Sequence, residues 1–469
     1  MTVNTLAPGW LRHPDDANTL DAQVWPRHAN RAGSGAIAIN GVELPQLAAE
    51  FGTPLYVIDE DDARGRAAHI RTVFEQAFAR IGSTAHVYYA GKAFLSIEVA
   101  RWMRDAGLRI DVCTGGELAV ALAAGINPAL LGFHGNNKSV AEIDRSVGVG
   151  IGTIVLDSIV EIDRVADAAA RHGRVQDVRL RINSGVHAST HEYLATARED
   201  QKFGIPLSDA ADVVKLIRAR PELRFLGLHS HIGSQIFDSD GFAEAARRLL
   251  TLHAELLRGG EVPELNLGGG FGIAYTSADE VTPIDEIAAD FARIVAEESA
   301  ALGIPVPIVA IEPGRAIIGP STVTLYEVGT VKDVLVDGSA VRRYLSVDGG
   351  MSDNVRPALY GADYSVRMAN RRSTADPVLV RVAGKHCESG DIVVHADYLP
   401  GDTEPGDLLA VPATGAYCWA LASTYNYVGR PAVVAVTQGR ARIIVRGENE
   451  DDLLARDMGA VEHEMKDTQ

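Results

Sequence analysis

Cysteine is scarce. Three residues, Cys113, Cys387 and Cys418, are spread over 469 positions and none sits in a C-x-x-C pair. That excludes a disulfide framework, a zinc ribbon and a dithiol redox motif, so the expectation is a reducing, cytoplasmic setting and no metal site. Basic side chains are outnumbered, 44 Lys and Arg against 62 Asp and Glu, for a net charge of −18. A surface of that sign repels polyanions at long range, which sets aside nucleic acid and anionic membranes as partners. No apolar run approaches the roughly 18 residues that a bilayer span needs. The start, MTVNTLAPGWLRHPDD, lacks the basic-then-apolar order of a secretion signal. Internal repeats and low-complexity segments are missing too. What is present, 46% apolar and 23% charged residues, is ordinary globular usage with enough length for one large domain or two to three smaller ones.

Short β-branched or aromatic runs recur with helical patterns between them: HVYYA (86–90), LRIDVC (108–113), LLGFH (130–134), TIVLD (153–157), DVRLRI (177–182), FLGLHSH (225–231), ELNLG (264–268) and IVAIE (308–312). Every gap is long enough for a helix. Eight β/α units predict a (β/α)8 TIM-like barrel, with an open doubly wound sheet as the competing α/β architecture. After about residue 320 strand candidates follow one another without helices, from TVTLYEVGTVKDVLV to AVVAVTQGRARIIVR. This predicts a mainly antiparallel β domain. The expected division is an N-terminal segment, 1–55, joining the β domain, a barrel over 56–320 and a C-terminal β domain over 321–469. The end, EDDLLARDMGAVEHEMKDTQ, is expected to be a solvated tail or terminal helix.

In such a barrel the reactive groups belong at the C-terminal ends of the strands. Strand one runs into Lys92, strand two into Asp111, strand three into His134-Gly-Asn-Asn-Lys138, strand six into His229 and His231, strand seven into Gly268-Gly269-Gly270 and strand eight into Glu312-Pro-Gly314-Arg315. Each alone is a bland turn; together they fall on one rim. Lys92, one of seven lysines, follows an apolar run, and a partly desolvated amine of that kind condenses with carbonyls. LNLGGGFG offers a nest of backbone N–H groups for phosphate, and Arg315 a positive fork. A lysine, a phosphate cradle and a carboxylate on the last strand together point to pyridoxal 5′-phosphate.

These segments carry a family resemblance. YYAGKAF (88–94), DVCTGGEL (111–118), HSHIGSQ (229–235), LGGGFG (267–272), EPGRA (312–316), CESGD (387–391) and GAY (415–417) resemble, in order, the pyridoxal-phosphate-dependent decarboxylases of the alanine racemase-like barrel class. The resemblance implies that Lys92 carries the cofactor, with Asp111 and Glu117 ordering it. It implies that His231 stacks on the pyridine ring, supported by His229 on the same strand face. Ser234, Gly268, Gly269, Gly270, Gly314, Arg315 and Tyr417 match the cofactor and phosphate site, and Glu312 matches the carboxylate that pairs with the ring nitrogen. Racemases of this fold place an arginine there; a carboxylate keeps the ring nitrogen protonated and favours decarboxylation.

The closest branch implies meso-2,6-diaminopimelate as substrate and L-lysine as product. The distal end of that molecule presents an ammonium together with a carboxylate, and a carboxylate buried without a donor costs several kcal/mol. Arg315, Arg356, Tyr360 and Tyr417 are the candidate contacts for it, and Glu388 the contact for the ammonium. Cys387 matches the proton donor, and the Cys387-Glu388 pair is implied to come from the neighbouring subunit of a homodimer with shared active sites. Cys113 and Cys418 are read as inert packing thiols. HGNNK is given no role beyond shaping the rim. The polar stretch 187–204 is expected to form a loop over the site.

Overall fold

The computed structural model describes residues 5–186, 202–237, 240–336, 338 and 340–459. Most of the 187–204 stretch and the last ten residues of the C-terminal tail lie outside the described residues. Two compact units emerge: Arg64–Ile273 with Val281–Ile317, and Met1–Ala63 with Ala274–Glu280 and Ile318–Gln469.

The first unit is the barrel. Its strands are β1 Ala85–Ala90, β2 Arg109–Val112, β3 Leu131–Phe133, β4 Thr153–Leu156, β5 Gln176–Asn183, β6 Leu223–His229, β7 Glu264–Asn266 and β8 Ile308–Ile311. Neighbours pair in parallel from β1 round to β8, and β8 pairs with β1 through Val309–Ala85 and Ile311–Val87. That last pairing closes the sheet and removes the open doubly wound alternative. The strand ends are also helix starts. Ser96, just past Lys92, caps the helix Ile97–Asp105 by accepting from the Val99 N–H; Thr114, just past Asp111, caps Gly115–Ala123 through the Glu117 N–H. Ser139 and Glu142 form a capping box on Val140–Val149. Each cap satisfies an otherwise orphaned N–H and so pins the turn that carries a rim residue.

The barrel interior is not wholly apolar. On β5, Val178, Leu180 and Ile182 alternate with Arg179 and Arg181, and all five are buried. Arg179 reaches across the barrel, its Nη2 2.6 Å from Glu264 Oε2 on β7 and 3.1 Å from the Tyr88 hydroxyl on β1. Although burial acts upward on Glu264, His86 and Arg179 hold its carboxyl down at about 2. A depressed carboxylate contributes stability that is complete above its unfolded value, near 4.5, and is lost as pH falls toward about 2. Glu264→Gln leaves the Arg179 guanidinium buried and unpaired, so it is expected to cost about 3–5 kcal/mol, measured by urea unfolding at pH 7.

In the second unit the long strand Thr322–Val336 is the spine. Its first half pairs antiparallel with Leu55–Asp59 and Leu408–Pro412, its second half with Ala340–Val347. Leu55–Asp59 runs parallel to Ala432–Thr437, which forms a hairpin with Arg440–Val445. Ala340–Val347 runs parallel to Pro377–Ala383, which pairs antiparallel with Ile392–Pro400. The sheet is therefore mainly antiparallel, and it takes up a strand from before the barrel as well as those after it. The helix Glu450–Leu454 begins the C-terminal tail, capped by Asn449.

Candidate active site

The C-terminal ends of the barrel strands surround a cavity of about 330 Å³. Lys92, Asp111, His134, Arg181, His229, His231 and Glu312 all line it, from six different strand ends, with Phe203 and Cys113 completing the wall. Lys92 stands in the short turn Gly91–Ala93 and is exposed toward the open cavity instead of sinking into apolar wall. Its charge acts on Asp111, Cys113, Glu117 and His231. Glu117 accepts the Cys113 N–H at 2.6 Å and so fixes the turn after β2.

The floor of the cavity is a carboxylate–imidazole cluster. Glu312 Oε1 lies 3.1 Å from His229 Nε2 and 3.6 Å from His134 Nε2, and accepts from Asn266 Nδ2 at 2.7 Å. Asp111 Oδ1 lies 3.1 Å from the same His134 nitrogen. Burial pushes both His134 and His229 down to about 4, so both are neutral at pH 7. Burial, and then the neighbouring Glu312, push Asp111 well above the usual carboxylate range. Burial acts upward on Glu312 too, but His229 and His134 outweigh it and hold this carboxyl well below that range. Two carboxyls on one wall are thus pushed apart, Asp111 upward and Glu312 downward. His134, His229 and Glu312 present ligand atoms within 4.8 Å of one another. A single electropositive N–H facing them would be equally well met.

The loops after β6 and β7 form an anion cradle. A Cβ on Gly269 would fall 2.1 Å from the Glu312 carbonyl oxygen, and one on Gly270, whose φ is +107°, would fall 2.4 Å from the Gly233 carbonyl oxygen. Only glycine permits this approach, and the Gly268 N–H is held by Asn266 Oδ1 at 2.8 Å. Gly270 is tied to the neighbouring loop by the Ile236 N–H, and Arg315 Nη2 donates to Ser234 Oγ at 2.8 Å. Gly269 N–H donates to His231 Nδ1 at 3.2 Å, which orients that imidazole. Gly314 packs against the Lys92 turn, where a Cβ would meet Ala90 and Ala93 at 3.0 Å. Lys92, Asp111, His231, Ser234, Gly268, Gly269, Gly270, Glu312, Gly314 and Arg315 are therefore brought together in the barrel unit.

Arg356, Tyr360, Cys387, Glu388 and Tyr417 belong to the β unit. Arg356 and Tyr360 begin and end one short helix. Arg356 is buried, its guanidinium carbon 4.5 Å from the Tyr275 ring centroid, and it donates to the Tyr364 hydroxyl. It has no carboxylate partner among the described residues. Tyr417 holds a φ of +62°, a left-handed conformation that costs a non-glycine residue energy and concentrates at functional positions. Cys387 and Glu388 are both exposed; the adjoining His386 is fixed by Ser352 Oγ at 2.8 Å and Asn426 Oδ1 at 3.0 Å.

Arg181, Phe203 and Asn266 line or support the cavity without having been singled out from the sequence. Arg181 stacks on Phe203 with its guanidinium carbon 4.3 Å from the ring centroid. A charged residue alternating with Val and Leu inside a strand was the available signal. Lys138 turns out to be structural: buried, it donates to the Gly135 and Val155 carbonyls at 2.6 and 2.8 Å and pairs with Glu161 at 3.0 Å. Cys113, read as a packing thiol, lies on the cavity wall; burial pushes its thiol up to about 12, so it stays protonated. Cys418 is buried.

Residues 67–319 match the family described as "Pyridoxal-dependent decarboxylase, pyridoxal binding domain". The diaminopimelate decarboxylase of Mycobacterium tuberculosis strain H37Rv is 53% identical over 93% of this chain and 98% of its own. That of Bacillus subtilis is 42% identical over 90% and 95%. Among solved structures, diaminopimelate decarboxylase from M. jannaschii in complex with L-lysine superposes with a TM-score of 0.83 at 29% identity, covering 92% of this chain and 97% of that one. The match spans the barrel and the curated relatives are covered almost end to end, so the chain belongs to the diaminopimelate decarboxylase family of pyridoxal-dependent decarboxylases.

Proposed function

We propose that this chain removes the carboxylate at the D-configured centre of meso-2,6-diaminopimelate, releasing CO2 and L-lysine as the last step of lysine synthesis in the cytoplasm. The observation that carries the reading is Glu312, a buried carboxylate held ionised on the wall of a cavity that a lysine amine also enters.

Pyridoxal 5′-phosphate fits the donor set. Gly268–Gly270, Ser234 and Arg315 would hold its phosphate together with Tyr417. His231 would lie against the ring, and Glu312 would meet the ring nitrogen. When bound through Lys92, the cofactor supplies a ring that takes up the electron pair released as CO2 leaves. The protein's part is placement and proton handling. Glu312 holds a proton at the ring nitrogen, steadied by the Asn266 amide and by His229. His231, kept neutral by burial, contributes a flat apolar face without competing charge. Lys92 would hold the cofactor's aldehyde carbon and would give up that place to the substrate amine. The Cys387 thiol gives the proton that replaces CO2, and Glu388 takes the distal ammonium.

Arg356, with Tyr360, Tyr417 and Arg315, is assigned to the distal carboxylate. Its support is a buried guanidinium that meets only neutral partners among the described residues. Arg356→Ala is expected to lower kcat/KM for meso-2,6-diaminopimelate by roughly 10–100-fold or more, mainly through KM. Lysine formation in the presence of added cofactor measures this directly. Turnover of ornithine or arginine in place of diaminopimelate would contradict the substrate assignment.

The exposure of Cys387 and Glu388 on the single chain supports their delivery to a second copy in a homodimer. Mixing the separately inactive Lys92→Ala and Cys387→Ala variants should then restore about 25% of wild-type activity, because half of the re-sorted dimers carry one intact site. No recovery after subunit exchange would place both residues in one chain's site.

A further inference from the structure

We infer that the opposite end of the barrel, where the strands begin, holds a binding site for a small multivalent oxyanion of the phosphate class. A second cavity, of about 550 Å³, lies there, lined by Arg109 at the start of β2, Gly152 and Thr153 at the start of β4, Arg174 and Asp177 around the start of β5, Arg224 on β6 and Glu264 at the start of β7.

Its charges do not cancel. Arg224 is spent on Asp177 through two bonds of 2.5 and 2.6 Å, and Glu264 is spent on Arg179 at 2.6 Å. Arg109 and Arg174 then remain, and neither has a carboxylate partner among the described residues. Arg109 donates to the Tyr88 hydroxyl and meets His86 Nε2, both at 3.3 Å, with its guanidinium carbon 5.6 Å from the Tyr88 ring centroid. Arg174 reaches over Gly150, where a Cβ would come within 2.7 Å of its Nη1, so the glycine makes room for the guanidinium. Behind the cavity wall, Arg179 has a side chain only 1% exposed and an Nη1 with no hydrogen-bond partner. Arg109 and Arg174 in one concave wall, neither matched by a carboxylate among the described residues, focus positive potential in a chain whose net charge is −18. A guanidinium meets two oxygens of a phosphate at once, which a monatomic anion such as chloride cannot match. In barrels of this kind the chemistry sits at the other end, so an anion here would lie apart from it.

The experiment is calorimetric titration of the cofactor-loaded enzyme, whose cofactor phosphate site is filled, with inorganic phosphate and with pyrophosphate at low ionic strength, chloride serving as control. One anion per chain is expected. Arg174→Gln and Arg109→Gln should each weaken it about tenfold or more while leaving the cofactor absorbance unchanged. Arg174 is exposed, so its replacement does not threaten folding. Absence of binding up to about 10 mM phosphate and pyrophosphate, or binding of equal strength in both variants, would overturn the assignment.

Discussion

Lys92→Ala is expected to lower CO2 release from meso-2,6-diaminopimelate by at least about 10³-fold while leaving the fold intact. The loss follows from position. Lys92 is the lysine that enters the cavity, and Lys138, at the end of the third strand, cannot replace it, because its amine is fixed by two carbonyls and Glu161. The fold should survive because Lys92 is exposed and makes no ion pair among the described residues, so the change in stability should stay within about 0.5 kcal/mol. Two measurements separate these effects: steady-state CO2 release, and borohydride trapping of the cofactor on the chain, which should vanish in the variant. A variant that keeps a tenth of wild-type turnover would show that the covalent attachment lies elsewhere.

Glu312→Gln is expected to slow CO2 release by roughly 10²–10⁴-fold with a smaller change in KM. The replacement is nearly isosteric, and its amide oxygen can still accept from Asn266 Nδ2, so the geometry of the cavity floor is kept. What disappears is the anion. Without it that wall loses the carboxylate held ionised at its centre, and the neighbouring His229 and His134 are both neutral. The substitution should also lower the Asp111 pKa, because the Glu312 charge is the second cause of its elevation. A partial rescue of Glu312→Gln toward higher pH, where Asp111 can ionise, would show that the charge and not the carboxyl shape matters. Turnover within threefold of wild type would remove Glu312 from the mechanism.

Much of this site was legible because a barrel of parallel strands writes its active rim in a regular way: an apolar run buried on both faces, then the polar residue that ends it. Lys92, His231 and Glu312 each follow such a run, Asp111 stands one residue before its strand ends, and the glycines after the seventh strand mark a backbone approach that no side chain tolerates. Arg181 stands inside β5 and Asn266 is the last residue of β7, so both belong to strands and not to the turns that follow. Their inward direction depends on which residues of β5 and β7 face the axis, and that is set by the closure of the sheet and not by the runs themselves. Lys92 was expected to be partly desolvated because VYYA precedes it; the short turn at Gly91–Ala93 lifts it out of that wall. Ala274–Glu280 departs from the barrel to join the β unit, a change of partner that hydropathy does not record. The difference between Cys113 and Cys418 was likewise out of reach, because both lie in similar apolar surroundings and only one lines the cavity.

The central claim is that Lys92 and Glu312 together present pyridoxal phosphate to meso-2,6-diaminopimelate. The most direct test is the ultraviolet–visible spectrum of the purified protein before and after that substrate is added, with lysine assayed in the same cuvette. The account predicts an absorbance band near the visible edge that borohydride removes, a change in that band on adding meso-2,6-diaminopimelate, and lysine formed in step with CO2. A protein with no such band after incubation with the cofactor, or one whose band is unmoved by the substrate while no lysine forms, would contradict it.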